Sequence, residues 1–230
     1  MIVAQQKTFG EIYVKLRRYE NILVVGCGGC VTVSMTGGER AVAVLAEQIR
    51  LKDRLLGRKR QVSQRTIQRQ CDAEFVREIA QEVAGAGVVL SMACGVGVNY
   101  MTEVLDGPSV LPAMNTLFMG ANLRQGEWGE RCAGCGNCVL EKTGGICPVA
   151  RCSKSFMNGP CGGTHDGKCE VNPETDCAWV LIVKRMERLG RLEELLEVAP
   201  PRDWSTARDG GPRRMVLPDA LLETKTEGEK

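Results

Sequence analysis

Residues 21–30 read NILVVGCGGC. An asparagine introduces four consecutive aliphatic residues and a GCGGC run ends them, the form of a short buried strand entering a tight turn. Upstream, TFGEIYVKLRRY (residues 8–19) places Phe9, Ile12, Tyr13 and Leu16 at helical spacing. Downstream, Gly37 and Gly38 precede ERAVAVLAEQIRLKDRLL (residues 39–56), whose apolar positions suit a helix packed on a sheet. A second unit follows the polar stretch QVSQRTIQRQ (61–70), to which no element is assigned. DAEFVREIAQEV (72–83) reads as one helix opened by Asp72, Gly85 to Gly87 break it, and VVLSMAC (88–94) is another strand ending at cysteine. Helices alternating with strands predict an α/β fold, a Rossmann-like parallel sheet over residues 1–115.

The segment 111–131, with Pro112, Gly120, Gly126 and Gly129, reads as the boundary. Beyond it a cysteine-rich, loop-dominated domain is expected over 127–206, covered by a helix whose stripe of Val180, Val183, Met186, Leu189 and Leu192 is interrupted by Gly190. After Pro200 and Pro201 the chain is polar and charged, and 207–230 is expected to be a flexible tail.

Composition excludes several classes. Thirty basic and twenty-eight acidic residues leave a formal charge of +2, too balanced for a general nucleic-acid or membrane binder. The basic run 50–69 carries eight Lys or Arg against Asp53 alone, which suits either a solvated helix face or the docking of an acidic electron donor. The longest apolar run, Cys177 to Val183, is far short of a bilayer span, and the first residues show no secretory pattern, so a cytoplasmic protein is expected. In such a compartment twelve cysteines point to metal or redox chemistry rather than to disulfides.

Seven of those cysteines fall within residues 131–170. Cys132, Cys135 and Cys138 form C-x2-C-x2-C, a spacing that turns three thiolates toward one face of a cubane, and Cys147-Pro148 supplies the cysteine–proline pair of ferredoxin runs, at longer spacing. With Cys152, Cys161, Cys169 and Cys177 the count reaches eight, the requirement of two [4Fe–4S] clusters. Two zinc sites of four thiolates each are the alternative. The single histidine, His165, reads as a solvated loop residue.

The other four cysteines sit at predicted strand ends, Cys27, Cys30 and Cys94, or just before a helix, Cys71. In a parallel sheet all four converge on the carboxyl edge, where α/β folds place ligands. A structural zinc, a third [4Fe–4S] cluster and inert buried thiols all fit. Dinucleotide binding does not: after Gly26 and Gly28 the third glycine of G-x-G-x-x-G would fall on Val31. No phosphate-cradling motif exists either, so no flavin is expected in this chain.

The ordered string YENILVVGCGGCVTV, RQCD, CAGCGNCVLEKTGGICPVARCSKSFMNGPCGG, GKCE and CAWVLIVKRMERLGRLEELLE resembles the methylenetetrahydrofolate reductase C-terminal domain family over about residues 8–206. Its stand-alone members are small subunits of two-subunit reductases of acetogens and related anaerobes. The resemblance implies a non-catalytic, zinc- and iron-sulfur-containing partner of a flavin-containing catalytic subunit in one-carbon (reductive acetyl-CoA) metabolism, with a further redox complex as electron donor. A cysteine that often follows GCGGC in the family is Ser34 here. The rival readings are a zinc-binding structural or assembly subunit, and an independent enzyme with an open cluster.

Overall fold

The computed structural model describes residues 1–221, and the chain divides into two compact units, Met1–Ala133 and Gly134–Lys230. Of the expected tail, residues 222–230 lie outside the described residues.

The first unit is α/β. Its elements are β1 (Ile2–Gln6), α1 (Phe9–Lys15), β2 (Asn21–Cys27), α2 (Cys30–Val33), α3 (Glu39–Leu55), β3 (Gln61–Ile67), α4 (Ala73–Arg77), α5 (Ala80–Ala84), β4 (Val88–Met92), α6 (Gly95–Val104), β5 (Val110–Pro112), β6 (Met114–Arg124) and β7 (Glu127–Cys132). Four strands form a parallel sheet in the order β3-β2-β4-β5. Because strand side chains alternate between faces, Ile22 and Val24 of β2 enter one core with Ile12 and Leu16 of α1 and Leu45 and Ile49 of α3. Leu23 and Val25 enter the other, with Val76, Ile79, Val83 and Met101. Helices therefore cover the sheet on both faces, which is why β2 and β4 read as unbroken apolar runs.

Local chemistry explains the helix starts. Thr8 and Glu11 form a reciprocal capping box at α1, and the Asp72 side chain accepts from the Glu74 amide at α4. Under α3 lies a buried ion pair: Arg60 binds Asp53 through both Nε and Nη2, and Tyr13 donates to Asp53 Oδ1 at 2.6 Å. Burial disfavours the Asp53 carboxylate, but hydrogen bonds from Arg60 and Tyr13 outweigh that and hold its pKa below the ordinary value.

Three features differ from the expectations. The polar stretch 61–70 contains strand β3, which pairs only with β2 and leaves most side chains exposed, so an edge strand carries polar residues at little cost. The helix expected over 72–83 breaks between α4 and α5, with Ile79 at φ −106°, yet Val76, Ile79 and Val83 still bury in one core. Packing preserves the apolar stripe rather than the continuity of the helix. The segment 111–131 holds the end of β5 and then a hairpin, β6–β7, to which β1 adds an antiparallel strand.

The second unit has little regular structure. It contains α7 (Pro148–Arg151), α8 (Ala178–Arg188) and single 3-10 turns at Leu140–Thr143, Leu192–Leu196, Arg208–Gly210 and Pro218–Ala220. Its apolar cluster is Trp179, Ile182 and Met186, all from α8, with Ile146, Cys152, Cys177 and Leu195 packed against it. Helix α8 ends at Arg188 with Leu189 as its C-cap, so the chain breaks at Gly190 as expected, but the face it buries is Ala178, Trp179, Ile182 and Met186. Of the expected stripe only Met186 is fully buried; Val180 and Val183 are half-buried, and Leu189 and Leu192 are exposed. Among the described residues no helix is long and apolar enough to cross a membrane.

Candidate metal centres

The parallel sheet brings the four amino-terminal cysteines to one edge. Cys27 ends β2, Cys30 opens α2 after a two-glycine turn, Cys94 caps α6 just past β4, and Cys71 follows β3 by four residues. Burial, and then the neighbouring thiols of Cys27 and Cys94, push the Cys71 thiol above its ordinary pKa. Cys27 is buried, Cys30 and Cys94 are half-buried, and Cys71 is exposed.

Backbone contact shapes this edge. Gly37 accepts from the Cys27 amide at 3.0 Å, and a Cβ on Gly37 would lie 2.1 Å from the Met92 carbonyl, so only glycine lets the α2–α3 turn approach β4. Gln70, fully buried, donates from Nε2 to the Val25 carbonyl at 3.0 Å and accepts from Ser91 Oγ at 2.6 Å, which ties the residue before Cys71 to both central strands. Sequence reasoning missed Gln70; its only signal is adjacency to Cys71. Ser34 is buried and spends its hydroxyl on the Val31 carbonyl and Thr36 Oγ1.

The other eight cysteines span the unit division. Cys132 ends β7 in the first unit, in register with Met119. In the second unit Cys138 and Cys161 are exposed, and Cys135, Cys147, Cys152, Cys169 and Cys177 are half-buried. Cys147 caps α7, its Sγ accepting from the Ala150 amide at 3.4 Å. Ser153 Oγ lies 3.4 Å from Cys169 Sγ, and this hydrogen bond, with the Val171 amide, lowers the Cys169 pKa. Cys161 Sγ donates to Glu170 Oε1 at 3.3 Å, and Glu170 also pairs with Lys154. Cys152 and Cys177 pack on the α8 cluster, and the Cys177 amide donates to the Gly167 carbonyl at 2.8 Å. The loops of Cys152, Cys161, Cys169 and Cys177 are thus tied to one another and to α8. His165 is exposed beside Asp166, its Nδ1 3.0 Å from Oδ2.

Around Cys135 the carboxyl arm closes in. Arg202 Nη2 donates to Cys135 Sγ at 2.8 Å and to the Asn137 carbonyl, and Thr206 Oγ1 donates to the Cys135 carbonyl at 2.9 Å. Arg202 Nε and Nη1 are buried and make no hydrogen bond. Nothing in the sequence announced this contact, because it joins residues 67 positions apart through a loop without periodicity.

Among the described residues no three or more His, Cys, Asp or Glu side chains form a ready-made metal-holding group. The donor chemistry nevertheless fits a metal–thiolate centre. The Cys169 sulfur receives O–H and N–H bonds that favour its thiolate, and a guanidinium with two unpaired buried nitrogens stands beside Cys135 Sγ.

Comparison with curated proteins and with solved structures returned no match. The amino-terminal part of the chain, with Cys27, Cys30, Cys71 and Cys94, lies outside the residues of the family match. Residues 111–205, which contain all eight of the later cysteines, match the family described as methylene-tetrahydrofolate reductase C terminal, the family that the cysteine string resembles.

Proposed function

We propose that this chain is the iron-sulfur electron-transfer subunit of a methylenetetrahydrofolate reductase, working in the cytoplasm beside a flavin-containing catalytic subunit. Cys132, Cys135, Cys138, Cys147, Cys152, Cys161, Cys169 and Cys177 are the ligands of two [4Fe–4S] clusters. Cys27, Cys30, Cys71 and Cys94 hold a third metal group, zinc or a cluster. The observation that carries this reading is the pairing of eight cysteines within the matched residues with an apolar core of three side chains in the second unit. So small a core cannot offset the entropy of ordering these loops, whereas metal–thiolate bonds can.

When bound, such clusters supply one-electron transfer with little rearrangement. The chain's own residues supply the setting. Ser153 and the Val171 amide favour the thiolate at Cys169, the Ala150 amide donates to Cys147 Sγ, and α8 shields Cys152 and Cys177 on one side with Trp179, Ile182 and Met186. The chain takes electrons from a redox donor complex and delivers them singly to the partner's flavin; folate chemistry belongs to the partner.

The test is stopped-flow absorbance with this subunit chemically pre-reduced and mixed anaerobically with the flavoprotein. Bleaching of the flavin is the expected result. No bleaching, or methylenetetrahydrofolate turnover by this chain alone, contradicts the proposal. The zinc-only reading, in which the chain is a structural or assembly subunit, draws on the closeness of Cys71 to Cys27 and to Cys94. It predicts zinc and no iron in anaerobically prepared protein.

A further inference from the structure

The arm that follows Pro200 and Pro201 grips one turn of the cysteine-rich unit at several points. Besides the Arg202 and Thr206 contacts, Arg213 Nη1 donates to the Gly134 and Thr206 carbonyls, each at 2.8 Å. Gly136 takes φ +81°, and a Cβ there would lie 2.2 Å from the Thr206 carbonyl oxygen, so arm and turn meet backbone to backbone. The Arg202 guanidinium lies 5.1 Å from the Trp204 ring centre.

Within this contact Arg202 is over-supplied with donors. Its Nη2 serves Cys135 Sγ and the Asn137 carbonyl, while Nε and Nη1 are buried without a partner. Leaving N–H groups of a cation buried and unpaired costs free energy that a mere clamp has no reason to incur. An anionic acceptor beside Cys135 removes that cost. A thiolate-ligated iron-sulfur group is anionic, offers sulfur acceptors, and becomes more negative on reduction.

Resting on the assignment of Cys135 as a cluster ligand, we propose that Arg202 is a positioning residue that sets the reduction potential of the cluster Cys135 holds. Its positive charge and its N–H bond to Cys135 Sγ favour the reduced state, which carries one more negative charge, and so raise the potential. The couple gains one electron from an external reductant, and no bond is made or broken and no proton moves.

The test uses the full chain, reconstituted anaerobically with iron and sulfide, as wild type, Arg202→Gln and Arg202→Lys. Iron content and an EPR-monitored redox titration with dithionite are read for each. Arg202→Gln keeps a donor and loses the charge; Arg202→Lys keeps the charge and loses the fork. We expect full iron content in both variants. In Arg202→Gln the oxidised-to-reduced ratio of one EPR signal should rise about tenfold at fixed potential, equivalent to about 59 mV for a one-electron couple. Arg202→Lys should fall between it and wild type, with the second signal unmoved. An unchanged potential in Arg202→Gln with iron retained overturns the inference. So does iron loss from both variants, which would make Arg202 a clamp only. Wild-type protein that takes up no iron would instead overturn the cluster assignment beneath it.

Discussion

The two units solve the same problem with different means. The first buries apolar side chains on both faces of a parallel sheet, in clusters drawn from β2, β4 and six helices. The second, among its described residues, has two helices, α7 and α8, and a core of three side chains, Trp179, Ile182 and Met186. Hydrophobic burial explains the fold of the first and leaves that of the second unexplained. What the second unit has instead is sulfur, with hydrogen bonds arranged around Cys135, Cys147, Cys161 and Cys169. In the first unit Cys27 joins a core built mainly of aliphatic side chains, with Cys94 packed against it; in the second Cys152 and Cys177 pack against a core of only three side chains.

The largest expected effect separates the units outright. On the proposed reading only the second unit depends on metal for its fold, so iron chelation under reducing conditions should strip amide protection from residues 134–177 while β2 and β4 keep theirs. Hydrogen exchange of the full chain reads both at once. Equal loss in both units, or none in either, would break the comparison.

Next comes the buried pair of the first unit. Asp53→Asn leaves Arg60 buried without its counter-charge and should cost about 3 kcal/mol in denaturant unfolding, with iron content unchanged. The pair also predicts acid sensitivity. Since the folded Asp53 pKa lies below the ordinary value, its contribution is complete above the unfolded aspartate value of about 3.9 and is lost as pH falls through the lower folded value. A stability profile from neutral pH into acid should flatten there in Asp53→Asn relative to wild type.

A smaller effect tests the arm. Gly136→Ala forces a side chain into the left-handed region at a cost of about 1–2 kcal/mol and drives its Cβ into the Thr206 carbonyl. Limited proteolysis should then cut near residues 202–213 while α8 stays intact; an unaltered digestion pattern would show that the arm does not depend on this contact. The smallest is Thr8→Ala, which removes the α1 cap and should lower first-unit stability by about 1 kcal/mol, read by thermal unfolding.

The same contrast governs what the sequence reveals. In the first unit β2, β4 and α3 are legible because burial imposes a pattern: ILVV and VVLSM are continuous since both sheet faces are covered. β3 escapes because an edge strand does not need apolar residues, and QVSQRTI shows little but polar side chains. β1 and the β6–β7 hairpin escape because β1 pairs with residues more than a hundred positions away, as in Ile2 with Met119, and neither carries a strong apolar alternation. The convergence of Cys27, Cys30 and Cys94 on the carboxyl edge follows from strand ends, and that of Cys71 from its place just before a helix, so it is legible. The Gln70 bridge that anchors Cys71 is not, since a buried glutamine between two strands has no periodic signature. In the second unit cysteine spacing conveys the chemistry, while the supports from Ser153, Glu170 and Arg202 are contacts between loops that no local pattern encodes.

The central claim is that metal–sulfur chemistry replaces a hydrophobic core in the second unit, and metal stoichiometry tests it most directly. Full-length protein reconstituted anaerobically, or purified without air, is to be assayed for iron, acid-labile sulfide and zinc, with EPR after reduction. The account predicts at least about eight irons and eight sulfides per chain and signals of reduced [4Fe–4S] clusters. Fewer than about four irons, or zinc alone with no sulfide, would contradict it.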